Sequence, residues 1–173
     1  MLSAVTYIAR PAEPDAIDQL ADTLGTLVAG VAAGLVSDAV IVAGAENAAV
    51  ATVAEATGAT LVLRPRGGSP WMAGARIARR DWVLCLAAGD VPAEGWIRTL
   101  DRFIGTARPE TALARLRRPH GGLPARLAVR GEGVIGVARA RAGDLVRRET
   151  LLAGPVFSPR LKVRRLIARI DRA

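Results

Sequence analysis

Asp90 is the acidic residue of this chain whose position most favours chemistry. It follows an apolar run, residues 82–87, through a turn of small residues, and a helical pattern begins shortly after it. In an open α/β sheet, ligands bind at the carboxyl ends of the strands. A carboxylate there can ligate a divalent cation. One acid predicts only weak binding of Mg²⁺ or Mn²⁺, and the alternative is that Asp90 closes the turn before Pro92 or caps the helix.

A glycine-rich loop, residues 64–70, gives a second candidate site. It precedes a predicted helix, residues 71–80, and it contains Arg64 and Arg66. Backbone N–H groups at a helix start and guanidinium groups both bind phosphate oxygens. The loop therefore predicts a diphosphate site, although glycine and proline also mark plain connections.

Other side chains give no assignable catalytic residue. Asp144 and Glu149 are conceivable bases, but they also fit as partners of Arg147 and Arg148 on a helix surface. His120 has no Ser, Cys or acid placed by the sequence to complete a triad or a metal site, so we expect an exposed loop residue. The catalytic residue is left unassigned.

Composition limits the class of protein and its partners. The chain has 173 residues, 51% hydrophobic but only 3% aromatic, which predicts one domain with an aliphatic α/β core. The net charge of +8 lies entirely in residues 81–173, because residues 1–80 carry six arginines against seven acids. Such one-sided positive charge favours binding to a nucleotide diphosphate or to an anionic membrane surface. The alternative is that the arginines form a solvated surface with no partner. Nucleic acid is not among the partners we expect.

The cysteine count and the hydropathy of the sequence indicate the cellular compartment in which the protein is found. Cys85 lies in an apolar run and is expected in the core, and a single cysteine excludes an internal disulfide. The longest uncharged apolar run, residues 27–36, is far shorter than the roughly 20 residues that span a bilayer. The first residues show no signal-peptide pattern. We expect a cytoplasmic protein, with any membrane contact confined to its surface at the inner membrane face.

Hydrophobic periodicity predicts alternating strands and helices. Strands are predicted at residues 4–8, 38–43, 60–64 and 82–87, with a weaker one at 111–116. Helices are predicted from near Pro14, at 48–57, at 71–80 and at 94–104. This alternation predicts βαβ units and a mainly parallel, three-layer α/β sheet flanked by helices, with the strand ends lining one crevice. The tryptophans Trp71, Trp82 and Trp96 are expected to pack rather than to bind sugar.

The C-terminal segment, residues 159–172, predicts an amphipathic helix. Val163, Leu166, Ile167 and Ile170 recur at helical spacing, and basic residues surround them. Two interpretations stay open: the apolar face packs on the domain, or the helix lies on an anionic membrane.

Four segments carry a resemblance to a known family: residues 9–13, 42–45, 66–68 and 81–90. With them, the chain resembles the small bacterial family-2-like glycosyltransferases of GT-A fold over residues 4–98. The turn Ala9-Arg10-Pro11-Ala12-Glu13 is similar to the family's turn beside the nucleotide base. Val42-Ala43-Gly44-Ala45 stands where the family carries an Asp that binds uracil, and Arg66-Gly67-Gly68 corresponds to its Arg/Gly loop. The segment 81–90 resembles the strand that ends in Asp-x-Asp, which holds a divalent cation and the sugar-nucleotide. Ala87 and Gly89 occupy the two acid positions.

The resemblance implies a single GT-A-like domain over residues 1–173. Residues 1–107 would form the nucleotide-binding half, and residues 108–173 a shortened basic acceptor-side half that includes the C-terminal helix. A nucleotide-sugar donor would lie against Ala9, Arg10, Ala43, Arg66 and Gly67, with Asp90 as the remaining metal ligand and a lipid or polysaccharide as acceptor. Two functions stay open: sugar transfer, and a non-catalytic GT-A-like domain that binds an anionic partner or a membrane surface. Oligomeric state is not predicted.

Overall fold

The computed structural model describes residues 1–118, 136–157 and 159–173. The first half alternates strands and helices: β1 Leu2–Ile8, α1 Ala16–Ala32, β2 Val36–Ala43, α2 Ala48–Thr57, β3 Thr60–Leu63, α3 Pro70–Ile77 and β4 Trp82–Ala87. The second half is mixed: β5 Asp90–Pro92, α4 Trp96–Thr106, β6 Leu113–Arg117, β7 Asp144–Arg147, α5 Arg148–Leu152 and β8 Arg164–Arg172. The positions predicted for the first four strands are thereby confirmed.

The strands form one sheet in the order β3-β2-β1-β4-β7-β6-β8-β5. The pairs β2–β3, β1–β2 and β1–β4 are all parallel, as predicted from the βαβ spacing. Beyond β4 the sheet is mixed, because β7 runs antiparallel to both β4 and β6, and β5 runs antiparallel to β8. The architecture is thus a mixed α/β sheet with helices packed on it.

The central strands are buried on both faces. Along β4, Leu84 and Leu86 belong to one apolar cluster, which includes the inner face of α1. Val83 and Cys85 belong to a second cluster, which includes Trp71 of α3. This alternation follows from the two-residue period of a strand, and continuous apolar sequence suits a parallel strand buried on both sides. Cys85 is therefore a core residue, as expected.

The predicted C-terminal helix is wrong: the segment is strand β8. Leu166, Ala168 and Ile170 are buried at every second position, whereas Ile167 is 80% exposed. Helical spacing placed Ile167 on the same apolar face as the residues that are buried. In the structure, the backbone hydrogen bonds of this segment are instead formed with β6 and β5 in the sheet. The interpretation of this segment as a membrane-surface helix loses its basis.

None of the helices among the described residues combines the length and the hydrophobicity needed to cross a membrane.

Candidate functional site

The carboxyl ends of the first four strands meet at one edge of the sheet. Gly44 N–H donates to the carbonyl of Ile8 at 2.9 Å, and Arg64 N–H donates to that of Ala43 at 2.8 Å. Ala88 N–H donates to the carbonyl of Tyr7 at 2.9 Å, which joins β4 to the end of β1. These bonds continue the parallel ladder into the turns, so the backbone beyond each strand is held beside its neighbour.

Gly44 permits the closest approach at this edge. A Cβ atom on Gly44 would lie 2.1 Å from the carbonyl oxygen of Ala9, so a larger residue does not fit without backbone movement. Ala9 and Ala43, two of the residues assigned to the donor site from the sequence, are thereby brought together. Their role in binding remains a prediction.

A cleft of about 430 Å³ opens where β2 and β3 end and α2 begins. Its lining is mainly apolar and includes Ala43, Ala51, Leu61 and Leu63. Asn47 closes one side: its Oδ1 accepts from Val50 N–H at 3.2 Å, which caps α2, and its Nδ2 donates to the carbonyl of Pro11 at 3.0 Å. The side chain of Asn47 therefore fixes the turn after β1 to the start of α2.

A larger hollow of about 610 Å³ lies elsewhere, between the turn after α1 and the start of α4. Leu35, Glu94, Arg98 and Asp101 contribute to its wall. Leu35 precedes β2, so this hollow is at the amino end of that strand. Because ligands of open α/β sheets bind at the carboxyl ends, the smaller cleft is the better candidate.

The arginines of the candidate site differ in their surroundings. Arg64 stacks over the ring of Tyr7, with 5.6 Å between its guanidinium carbon and the ring centroid. Arg10 forms an exposed ion pair with Glu13 at 2.7 Å. Arg66 is exposed in the loop after β3, and Gly67 beside it adopts a φ of +69°. Their roles as phosphate ligands stay predictions.

Ser69 ends this loop by capping α3, since its Oγ accepts from Met72 N–H at 3.4 Å. Helix α3 ends at Ile77, three residues before the predicted end at residue 80. The order of strand, glycine-containing loop and helix predicted from the sequence is otherwise confirmed.

Asp90 is fully buried three residues beyond the end of β4. Its Oδ2 accepts from Ala87 N–H at 2.8 Å, and it also accepts from the guanidinium of Arg118. Its Oδ1 has no hydrogen-bond partner among the described residues. The carboxylate therefore closes the turn, as the alternative interpretation expected, whereas the cap position of α4 belongs to Gly95. Asp90 as a metal ligand remains untested.

Gly89 adopts a φ of +88°, a left-handed conformation that favours glycine. Its N–H donates to Thr23 Oγ1 and to the carbonyl of Gln19, both at 2.9 Å, which ties the turn to α1. An acidic side chain at this position would be strained by this backbone conformation, although its Cβ atom would lie at an ordinary contact distance, 3.4 Å, from the side chain of Gln19.

Asp144 is buried in β7, not on a helix surface as one sequence interpretation held. Arg115 of β6 binds it through two bonds, Nε to Oδ1 at 2.5 Å and Nη2 to Oδ2 at 2.9 Å. Burial raises the pKa of the Asp144 carboxyl, and the hydrogen bonds from Arg115 and from Arg141 N–H oppose that shift. Burial also raises the pKa of the Cys85 thiol.

The arginines expected to pair with Asp144 and Glu149 have other contacts. Arg147 lies over the ring of Trp82 at 4.3 Å, and Arg148 Nε donates to the carbonyl of Ala75 at 2.8 Å. Glu149 is exposed in the five-residue helix α5. The tryptophans are buried packing residues, as expected.

Sequence reasoning missed Arg115 and Arg118. The weak alternation in residues 111–116 indicated a strand, but no spacing along the chain pairs Arg115 and Arg118 with acids 29 and 28 residues away. Within the described ranges, no group of three or more His, Cys, Asp or Glu side chains could hold a metal ion. His120, by contrast, lies outside the described residues.

No protein-family model and no curated protein sequence matches this chain. Solved structures do match it. Glucosyl-3-phosphoglycerate synthase from Mycobacterium tuberculosis, in complex with Mn²⁺ and UDP-glucose, superposes with a TM-score of 0.63 at 16% identity, over 99% of this chain and 70% of that chain. The same enzyme with Mn²⁺, UDP and glucosyl-3-phosphoglycerate gives a TM-score of 0.60 at 14% identity, over 99% and 71%.

The fold is that of a GT-A glycosyltransferase. A third structure of the synthase, with phosphoglyceric acid, gives a TM-score of 0.58 at 16% identity and covers 86% of this chain but 57% of that one. This chain thus spans between 57% and 71% of the length of these three synthase chains. At such low identity the likeness concerns the fold.

Proposed function

We propose that this chain binds a nucleotide-sugar donor at the carboxyl ends of β1 to β4 and transfers the sugar to an acceptor, as a family-2-like glycosyltransferase. The observation that carries the proposal is the cleft of about 430 Å³ at the ends of β2 and β3. It lies where open α/β sheets bind nucleotides, in a fold whose solved relatives were determined with UDP and UDP-glucose.

The donor's base would lie against the turns after β1 and β2, beside Ala9, Arg10 and Ala43. Ala43 has no carboxylate to accept a hydrogen bond from a uracil ring, so selection of the base would depend on backbone groups and on the shape of the cleft. The diphosphate would extend toward Arg66 and Gly67, where a flexible guanidinium and backbone N–H groups can bind phosphate oxygens.

The acceptor would be held by residues 108–173, the half predicted to face it. This half is basic, which suits a phosphorylated or carboxylated acceptor, including a lipid-linked or polysaccharide one. The synthase structures include complexes with phosphoglyceric acid and with glucosyl-3-phosphoglycerate. A phosphorylated three-carbon acid is therefore the first acceptor to try.

A second candidate is a non-catalytic GT-A-like domain that binds an anionic partner. Two observations favour it: the buried carboxylates of Asp90 and Asp144 are each bound by an arginine, and Ala87 and Gly89 occupy the positions assigned to a degenerate Asp-x-Asp. Both buried acids thus take part in ion pairs within the fold.

Separate measurements of binding and turnover distinguish the two candidates. UDP-, GDP- and ADP-sugars are titrated calorimetrically into the full chain, and release of nucleoside diphosphate is then followed with 3-phosphoglycerate present or absent. Acceptor-dependent release supports transfer, whereas binding without release supports the non-catalytic domain. If no nucleotide binds, the donor site proposed here is wrong.

A further inference from the structure

The ion pair of Asp90 and Arg118 lies at the strand end that the GT-A resemblance assigns to a metal ion. Asp90 is fully buried, and its Oδ2 is shared between Ala87 N–H and Arg118. Arg118 directly follows β6, and its side chain is 37% exposed. The guanidinium therefore binds a buried carboxylate, while more than a third of the arginine side chain is accessible to solvent.

A divalent cation does not fit these residues. Mg²⁺ and Mn²⁺ are bound by several oxygen ligands, usually including carboxylates. Here one carboxylate oxygen, Asp90 Oδ1, is without a partner, and no cluster of three metal-binding side chains occurs within the described residues. The guanidinium of Arg118 on the other oxygen repels a cation. Gly89, with its φ of +88°, does not readily accept a second acid.

A diphosphate fits better. A guanidinium offers several N–H donors in one plane and binds phosphate oxygens in pairs, and it stays charged at every physiological pH. Asp90 accepts from Nη2 of Arg118, so the ion pair orients the guanidinium, whose Nε and Nη1 lie outside this contact. Because the Arg118 side chain is already ordered by Asp90, less conformational entropy is lost when a ligand binds to it.

A second arginine is paired with Asp90 in the backbone register of the sheet. Arg172 of β8 is directly opposite Asp90 of β5 in the antiparallel register. Side chains at such positions share a face of the sheet, with Cβ atoms about 5 Å apart. The ion-pair partner and the cross-strand neighbour of Asp90 are therefore both arginines.

We propose that Arg118 supplies the positive charge that a divalent cation would otherwise supply, so that the diphosphate of the donor binds here without metal. This inference rests on the proposed donor site, where Arg66 and Gly67 would contact the diphosphate from the side of β3, and adds a second phosphate contact from the side of β4. Arg118 acts as a binding residue held by Asp90.

The test is a titration of UDP into the full chain, once with EDTA and once with Mn²⁺. We expect wild-type affinities that agree within about twofold between the two conditions. Arg118→Gln should weaken binding by about tenfold to a hundredfold in EDTA, the size of a lost charge-assisted contact. Arg102→Gln, on an exposed part of α4, is the matched control and should bind as wild type does.

Wild-type binding that disappears in EDTA, or Arg118→Gln binding as tightly as wild type, overturns the inference. Thermal melts establish that each variant is folded. If Arg118→Gln is not folded, the double variant Arg118→Gln with Asp90→Asn replaces it, because no unpaired charge is then left buried at position 90. Weaker binding by the double variant supports the inference, and unchanged binding contradicts it.

Inorganic pyrophosphate separates this inference from the proposed function, since it has neither base nor sugar. Pyrophosphate binding that depends on Arg118, without binding of any nucleotide, supports the anion site and rejects the donor site. Failure of both ligands to bind rejects both.

Discussion

Gly44 and Ala9 are in contact at the point where β1 and β2 end. No side chain separates the two turns, and a Cβ on Gly44 would lie 2.1 Å from the carbonyl oxygen of Ala9. The Gly44 N–H group also donates to Ile8 at 2.9 Å, so the contact continues the parallel ladder. The proposed donor site is therefore built on backbone packing that requires glycine at position 44.

Gly44→Ala should destabilise the fold, because the added methyl group must displace the turn after β1. We expect a loss of about 1–3 kcal/mol in the free energy of unfolding, the usual cost of overpacking. Chemical denaturation measures it. Gly25→Ala is the control: Gly25 is exposed in α1 with open space around it, and alanine there should stabilise the protein by roughly 0.5–1 kcal/mol. Equal effects of the two substitutions would contradict the close contact.

Arg115→Met should make the stability of the protein depend on pH. Burial already raises the pKa of Asp144 above its ordinary value of 3.8, and Arg115 opposes that shift. Without the guanidinium, the folded-state pKa rises further above the unfolded value. The folded state then retains a proton that the unfolded state releases, so the contribution of Asp144 to stability is greatest below about pH 4 and is lost as pH rises through the folded pKa.

Denaturation of wild type and Arg115→Met at pH 4.5 and pH 7.5 measures this effect. The difference between the two proteins should be larger at pH 7.5 and reach about 3–5 kcal/mol, the cost of leaving one buried charge unpaired. Adding Asp144→Asn to Arg115→Met should remove the extra pH dependence. A difference that is the same at both pH values would show that Asp144 is not the titrating group.

Two isoleucines of β8 distinguish a strand from the helix that the sequence predicted. Ile170 is 2% exposed and Ile167 is 80% exposed, although helical spacing places both on one apolar face. Ile170→Ala should cost about 2–5 kcal/mol of unfolding free energy, as for other buried aliphatic truncations. Ile167→Ala should change it by less than about 0.5 kcal/mol. Similar losses at both positions would favour a helix.

The parallel half of the sheet could be predicted from the sequence because its signals are local. The apolar runs that became β1, β2 and β4 are separated by helices of the length that a right-handed crossover needs, and Asn47 marks the start of α2 by its own side chain. The meeting of Ala9 and Ala43 then follows from parallel pairing alone, since the carboxyl ends of parallel neighbours lie at the same edge.

The second half could not be predicted in the same way. In β8 the residues that alternate in burial also recur at helical spacing, and pairing with β6 and β5 decided between the two structures. The bonds from Arg115 to Asp144 and from Arg118 to Asp90 join residues far apart in the sequence. No local pattern indicates such a pair. The two acids could therefore be recognised as candidates in the sequence, but their partners Arg115 and Arg118 could not.

The location of the donor site is tested most directly by filling the cleft at the start of α2. Ala51 lines that cleft and is exposed, so Ala51→Trp should occupy it without disturbing the core. Ala56→Trp places the same side chain at an exposed position of α2 outside the cleft lining. Calorimetric titration with UDP-glucose should show saturable binding to wild type and to Ala56→Trp, with affinity at least about tenfold weaker in Ala51→Trp, a loss of roughly 1.4 kcal/mol. Equal affinity in all three proteins, or no binding to wild type, would contradict a donor site at the carboxyl ends of these strands.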